Sequence, residues 1–179
     1  MNKSEIRKKI LKLREKNKNK NLKINFKYLF KILKKAKITS KIVGAYYPYN
    51  YEINPINILE KLEKKNYQIC LPKIKKNFQM DFYRWSIEQP LLINQYGIPE
   101  PTTNKVVYPT ILLVPLVAFD KRLNRIGYGG GFYDRYIKRV KKNKNIITIG
   151  LAYSFQKVKK IQINDNDMKL NFIVTNKKN

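Results

Sequence analysis

Residues 110–136 read TILLVPLVAFDKRLNRIGYGGGFYDRY, and their order decides the fold. An apolar run, partly β-branched and too short for a buried helix, ends in Asp120. A basic loop, KRLNR, follows it. Four of the chain's seven glycines then fall at Gly127, Gly129, Gly130 and Gly131, and an amphipathic segment, GFYDRYIKRVKK, begins at once. The run reads as a buried central strand and the amphipathic segment as a helix. Ligands of open α/β sheets sit at the carboxyl ends of strands, where this turn lies. Glycines let the backbone approach an anion closely and adopt positive φ. The helix start adds unpaired N–H groups and a positive dipole end, and Arg125 adds a bidentate donor. The stretch therefore reads as a phosphate cradle. It is not a P-loop, because no Gly-Lys-Ser/Thr follows. Nor is it the dinucleotide fingerprint, since the spacing is G-x-G-G-G and Phe132 stands where the last glycine belongs. On glycine content alone a flexible strand-to-helix turn is an equal reading; the flanking Arg125, Tyr128, Tyr133 and Asp134 favour the cradle.

Upstream, SEIRKKILKLREK predicts a helix capped by Ser4, with Ile6, Ile10 and Leu13 on one face, broken by NKNKN. FKYLFKILKKA predicts a second amphipathic helix. KIVGAYYP predicts a strand ending at Pro48. NPINILEKLEKKN predicts a helix with Asn54 as cap and Pro55 in the first turn. YQICLPKI and FQMDFYRW predict strands, and QPLLINQYGIPEPTTN predicts a loop. Downstream, NIITIGLAY and FIVT predict strands. Strands alternating with helices imply a largely parallel sheet with helices on both faces, in a single domain over residues 1–179.

Composition excludes several chemistries. The 179 residues contain no histidine, which removes Ser-His-Asp and Cys-His nucleophiles and His-ligated zinc. A metal must then rest on oxygen ligands, which points to Mg²⁺ or a similar hard cation. The single Cys70 forms no internal disulfide and reads as core, as does Trp85. No window suits a membrane span, and the charged N-terminus lacks an apolar signal core, so a cytoplasmic protein is expected. The net charge of +27 invites a nucleic-acid reading, but lysine outnumbers arginine 32 to 7 and is spread along the chain. Asn (20) and Ile (23) are equally abundant and share A/T-rich codons with lysine, so composition accounts for the charge. Base readout leans on arginine, so no functional nucleic acid is expected.

The segment LLVPLVAFDKRLNRIGYGGGFYDRYI strongly resembles the signature of the 5-formyltetrahydrofolate cyclo-ligase family, also called methenyltetrahydrofolate synthetases. Further matches follow in order: KSEIR to a basic Lys-x-x-x-Arg helix, YYPYNYEI to a strand-loop carrying a glutamate, NQYGIPEP to an aromatic-x-Ile-Pro loop, and NDNDMKLNFIVT to a C-terminal aspartate segment. The resemblance implies a three-layer α/β/α fold like that of phosphosugar isomerases and coenzyme A transferases. It also implies ATP as co-substrate, Mg²⁺, and 5-formyltetrahydrofolate as substrate, with or without a polyglutamate tail. Monomer or weak dimer is expected.

By matching position, the resemblance assigns Lys3 and Arg7 to ATP, together with Arg125, Ile126, Gly127, Tyr128, Gly129, Gly130, Gly131, Phe132 and Tyr133. Arg125 and Tyr133 are the implied catalytic residues. Tyr128 to Phe132 also match folate contacts, alongside Tyr47, Glu52 and Tyr96. Asp134 and Asp167 match metal ligands, with Asp165 as a nearby rival. Each has a plainer reading: a solvated helix face for Lys3 and Arg7, a loop acid for Glu52, an aromatic over the core for Tyr96, a dipole-stabilising acid for Asp134, a turn residue for Asp167. Some relatives carry a lysine where this chain has Gly130, so Lys121 or Arg122 is the expected substitute for its charge. Phe132 stands where a tyrosine is common, and Ile126 where leucine is. Two other classes stay open at this point: a phosphosugar isomerase on the same fold, which needs no ATP, and a basic nucleic-acid-binding module.

Overall fold

The computed structural model describes residues 1–20, 22, 24, 26–36 and 40–177. In chain order the elements are helix α1 (Lys3–Lys16), helix α2 (Phe26–Lys35), strand β1 (Ile42–Gly44), helix α3 (Ile56–Glu63), and strands β2 (Gln68–Lys75), β3 (Gln79–Trp85), β4 (Leu91–Ile93), β5 (Pro99–Pro101), β6 (Val106–Val107), β7 (Ile111–Pro115), β8 (Ala118–Phe119) and β9 (Arg125–Ile126). Helix α4 (Phe132–Lys141) and strands β10 (Ile147–Ala152) and β11 (Phe172–Thr175) complete the chain.

Seven strands form one sheet in the order β11-β10-β7-β1-β2-β3-β6. Every pairing from β11 across to β2 is parallel, and β3 and β6 add an antiparallel edge. The apolar run is continuous in β7 because both faces of this strand are covered. Ile111 and Leu113 pack with Leu29, Leu33, Leu59 and Leu62 of α2 and α3. Leu112 and Val114 pack with Tyr136, Ile137 and Val140 of α4 on the opposite face. That makes three layers. Each such leucine, removed wholly from water, contributes roughly 1.5–3 kcal/mol. Helix α1 belongs to neither layer: Ile6 and Ile10 pack on Val117, Ala118 and Ile126, beyond the end of β7. Trp85 and Cys70 are core, as expected. Among the described residues no helix is long and apolar enough to cross a membrane.

Strand β1 steps to β2 on one side and meets β7 on the other, so the winding reverses between β1 and β7. The crevice at their carboxyl ends is where such sheets bind ligands. It opens onto the segment from Tyr46 to Glu52 and onto the chain after Pro115.

Several expectations need correction. Asn2, not Ser4, caps α1: its side chain accepts the Glu5 N–H at 2.9 Å, and Glu5 returns a bond to the Asn2 N–H at 3.0 Å. This capping box starts the helix earlier and puts Lys3 in its first turn. The third buried position of α1 is Arg14, with Leu13 turned to the side. The breaking stretch NKNKN is a turn through Lys20, and its Asn21 lies outside the described residues. Strand β1 ends at Gly44, well before Pro48. Pro55 itself occupies the cap position of α3, and Asn54 accepts the Ile56 N–H at 2.9 Å just ahead of it. TILLVPLVAF is two strands, because Pro115 has no N–H to continue the ladder. The expected loop at 89–104 contains the hairpin β4–β5, pinned by Glu100, which accepts the Ile74 N–H at 2.8 Å and the Asn94 amide at 2.7 Å.

Candidate active site

The glycine stretch leaves the short ribbon β8–β9, whose turn is built on Asp120. This carboxylate is 1% exposed and accepts bonds from the Arg122 and Asn124 N–H groups, the Asn124 amide and the Ile161 N–H, at 2.9–3.1 Å. Asp120 is therefore a structural tie and not a carboxylate offered to a ligand. Lys121 and Arg122 are exposed and do not line the cavity described below, so neither supplies charge beside Gly130. Arg135, also exposed and outside the lining, braces the loop from its outer side: its guanidinium donates to the Gly130 carbonyl at 2.5 Å and to the Phe78 carbonyl at 2.8 and 3.0 Å. Gly129 has φ +114° and Gly131 has φ +65°, where side chains are strained. Gly131 is also the cap of α4, and a Cβ there would lie 2.7 Å from Arg135 Nη1. The Arg7 Nε donates to the Gly127 carbonyl at 2.8 Å, so α1 holds the loop from its other side.

One ion pair crosses the ends of the glycine loop, a second ties α1 to the acidic C-terminal segment, and bonds to Met168 join the two regions. Arg125, 7% exposed, pairs with Asp134 at 2.9 Å. The two residues also bracket the backbone of one residue: Arg125 donates to the Met168 carbonyl at 2.6 Å, and Asp134 accepts the Met168 N–H at 2.8 Å. Lys3 pairs with Asp167, which also accepts the Asn164 N–H at 2.7 Å. Asp165 is exposed and faces away.

The opposite wall follows β1. Asn50 (φ +45°) and Tyr51 (φ +56°) hold a tight turn closed by the Glu52 N–H on the Tyr49 carbonyl at 3.0 Å. Non-glycine residues at positive φ are costly and gather at functional sites. This turn sends Glu52 inward, where it is 8% exposed and accepts the Tyr49 N–H at 3.0 Å. Burial pushes its carboxyl up to about 7, against the opposing pull of the Tyr49 N–H and the Arg14 guanidinium. Around it stand Tyr46, Tyr128 and Tyr133, whose hydroxyls burial raises first and the Glu52 charge raises further; Tyr128 reaches about 12. The Tyr133 hydroxyl is buried without a hydrogen-bond partner.

These walls enclose one cavity of about 550 Å³, within the range of small-ligand sites. Lys3 and Arg7 line it from α1, and Tyr47 and Glu52 from the β1 side. Arg125 and Ile126 line it from β9, and Gly127, Tyr128, Gly129, Gly130 and Gly131 from the loop. Phe132, Tyr133 and Asp134 line it from the first turn of α4, and Asp167 from the C-terminal segment. Tyr96, 47% exposed at the tip of the β4–β5 hairpin, reaches its mouth. The residues assigned to ATP, folate and metal from sequence thus surround one space, while Asp120, Lys121, Arg122 and Asp165 lie outside it. Sequence reasoning missed Asn94 and Glu100 of that hairpin, which also line it, and Arg14, which lies beneath the glycine loop. Arg14 had a signal, since it follows Ile10 by four residues on the stripe shared with Lys3 and Arg7.

Among the described residues no group of three or more His, Cys, Asp or Glu side chains could cage a metal. Two aspartates on the wall are nevertheless a sufficient donor set for Mg²⁺ that arrives with phosphate oxygens, because this ion keeps several waters and takes one or two carboxylates.

Residues 1–176 match the model of the 5-formyltetrahydrofolate cyclo-ligase family. A 5-formyltetrahydrofolate cyclo-ligase of Haemophilus influenzae is 37% identical over 139 residues, covering 73% of each chain. The one from Escherichia coli K12 is 28% identical over 145 residues, covering 77% of this chain and 79% of its own. Among solved structures, the 5,10-methenyltetrahydrofolate synthetase of Aquifex aeolicus superposes with a TM-score of 0.78 at 31% identity, covering 99% of this chain and 91% of its own.

Proposed function

The chain belongs to the 5-formyltetrahydrofolate cyclo-ligase family, and we propose that it converts 5-formyltetrahydrofolate to 5,10-methenyltetrahydrofolate with cleavage of ATP to ADP and phosphate. The observation that carries this reading is the single cavity in which a glycine loop with Arg125, Arg7 and Lys3 faces a buried carboxylate, Glu52.

The formyl oxygen attacks the γ-phosphorus and ADP leaves, giving an imidate phosphate. Nitrogen-10 then attacks the former formyl carbon. The C–O bond breaks, phosphate departs, nitrogen-10 loses its proton and the five-membered ring closes as a methenyl cation. The substrate supplies both nucleophiles, so the protein has to position and neutralise, which a site without histidine can do. Glycine-loop N–H groups, Arg125, Arg7 and Lys3 receive the phosphates, with Ile126 to Tyr133 forming the bed. Arg125, already fixed on the Met168 carbonyl, is placed to stabilise charge on the phosphoryl group in flight. Glu52 accepts hydrogen bonds from the pterin N–H groups, Tyr47 and Tyr96 cover the ring, and Tyr128 to Phe132 touch both substrates. Asp134 and Asp167 would hold Mg²⁺, which would neutralise phosphate charge, while Arg125 keeps its Met168 anchor and, with Lys3, would offer its remaining N–H groups to phosphate oxygens.

The test is to incubate the protein with 5-formyltetrahydrofolate, Mg²⁺ and ATP and follow the methenyl chromophore together with ADP. Both should appear in equal amounts, and ADP only when the folate is present. Product formed without ATP overturns the mechanism.

The aspartates give a finer expectation. Asp134→Asn and Asp167→Asn should each raise the Mg²⁺ concentration at half-maximal activity several-fold, while Asp165→Asn leaves it unchanged. Curves of activity against Mg²⁺ for the three variants decide it, and wild-type behaviour of the first two returns both residues to a purely structural role.

A further inference from the structure

Arg14 is 2% exposed, and among the described residues no carboxylate pairs with it. Its partners are neutral and belong to three segments. Nη1 donates to the Tyr128 hydroxyl at 2.6 Å and to the Asn50 carbonyl at 3.3 Å; Nη2 donates to the Leu116 carbonyl at 2.7 Å. Its Nε is buried with no hydrogen-bond partner. The Glu52 carboxylate attracts Arg14 through space without a hydrogen bond, and a buried guanidinium whose hydrogen-bond acceptors are all neutral is unfavourable for stability alone. A leucine at this position of α1 would continue the apolar stripe of Ile6 and Ile10 without that penalty.

The three acceptors explain its presence. Tyr128 is the centre of the glycine loop. Asn50 lies in the turn that aims Glu52. Leu116 follows the end of β7, between the two. The planar, rigid fork of one guanidinium therefore fixes the glycine loop relative to the Glu52 turn, and a movement of either strains a bond to the other. Helix α1 contributes Lys3 and Arg7 to the same side of the cavity, since positions 3, 7 and 14 fall within an arc of roughly 40° on the helix.

We propose that Arg14 is a positioning residue that couples the two substrate subsites, so that occupancy of the glycine loop orders the turn carrying Glu52 and the reverse. The proposal rests on the folate and ATP reading given above. Coupling of this kind is reciprocal and amounts to roughly five- to 150-fold in affinity.

The experiment measures that factor by calorimetry on the full chain. A non-hydrolysable ATP analogue with Mg²⁺ is titrated with and without saturating 5-formyltetrahydrofolate, and the folate with and without the analogue. In the wild type each ligand should tighten the other about tenfold. In Arg14→Met the factor should fall towards one while each ligand alone still binds, and Arg14→Lys should restore part of it. Tyr128→Phe removes the hydroxyl that accepts from Arg14 and that also donates to the Tyr49 carbonyl at 3.4 Å, so it cuts a direct link between loop and turn as well. It should lower the factor as well, and adding Arg14→Met to it should lower the factor less than Arg14→Met does in the wild type. Should Arg14→Met fail to fold, Arg14→Lys, which keeps the charge but cannot span the three acceptors, decides by a partial loss of the factor. A wild-type factor of one, or variants that keep the wild-type factor, overturns the coupling while leaving the folate reading intact. A wild-type chain that does not bind 5-formyltetrahydrofolate overturns both.

Discussion

Arg125→Ala should lower turnover by about a thousandfold or more, the range seen when an arginine that stabilises a transferring phosphoryl group is lost. The side chain is nearly inaccessible, 4% exposed, and is held by Asp134 and the Met168 carbonyl before any phosphate arrives. It is thus preorganised, and preorganised charge is worth most where water is excluded. Stability should fall too, by about 3 kcal/mol, because Asp134 loses its buried partner and the Met168 carbonyl its donor. The two effects separate in Arg125→Lys, which keeps a charge but cannot span both acceptors. That variant should recover most of the melting temperature and little of the turnover. Steady-state kinetics and thermal melts on both variants are the measurement. Wild-type turnover in the alanine variant would remove Arg125 from the chemistry.

Glu52→Gln should move activity and stability in opposite directions. On the proposed function, in which the ionised Glu52 receives the pterin N–H donors, Glu52 should give about a hundredfold in kcat/KM at pH 8, the worth of two charge-assisted hydrogen bonds. In the wild type kcat/KM should rise through pH 7, where the carboxyl ionises. Its effect on folding has the reverse sign. The folded value of about 7 lies above the ordinary 4.5, so between these pH values the native state holds a proton that the unfolded chain has released. Stability therefore declines as pH rises across that window, by up to about 3 kcal/mol once Glu52 is charged in both states. Glutamine carries no such charge, so Glu52→Gln should melt at a higher temperature than the wild type at pH 8 and at nearly the same temperature at pH 4. A kcat/KM profile flat from pH 6 to 8, or a glutamine variant no more stable at pH 8, contradicts this account.

The layers could be read from the sequence because burial on two faces leaves a one-dimensional mark: ILLV in β7 is apolar at every position, and α4 alternates with helical period. Where a tertiary partner decides, the mark vanishes. Ser4 is as good a cap as Asn2 by residue type, and only the reciprocal bond from Glu5 separates them. The β4–β5 hairpin looked like loop because two of its strand residues are prolines, Pro99 and Pro101, tolerated on a short edge pair. The cavity residues were recoverable through motifs of fixed order. Asp120 sits at a strand end as a ligand-facing acid would, yet three local bonds and one from the Ile161 N–H consume it. Arg14 carried a lysine-rich helix's ordinary appearance, and its burial depends on Tyr128 and Leu116, more than a hundred positions away.

Lys3 and Asp167, which meet on the cavity wall, stand 164 positions apart in the chain. On the ribosome the second is made 164 residues after the first, an interval of roughly ten to thirty seconds at ordinary elongation rates. Throughout it the glycine loop lacks the Met168 backbone that Arg125 and Asp134 bracket, and α1 has no acid to settle against. A nascent chain can stack its sheet strands in the order they emerge, but it has no closed nucleotide bed until the last acidic segment is out. On the proposed function, competence for ATP therefore arrives only after β10 has joined β7, once the segment carrying Asp167 and Met168 has been made.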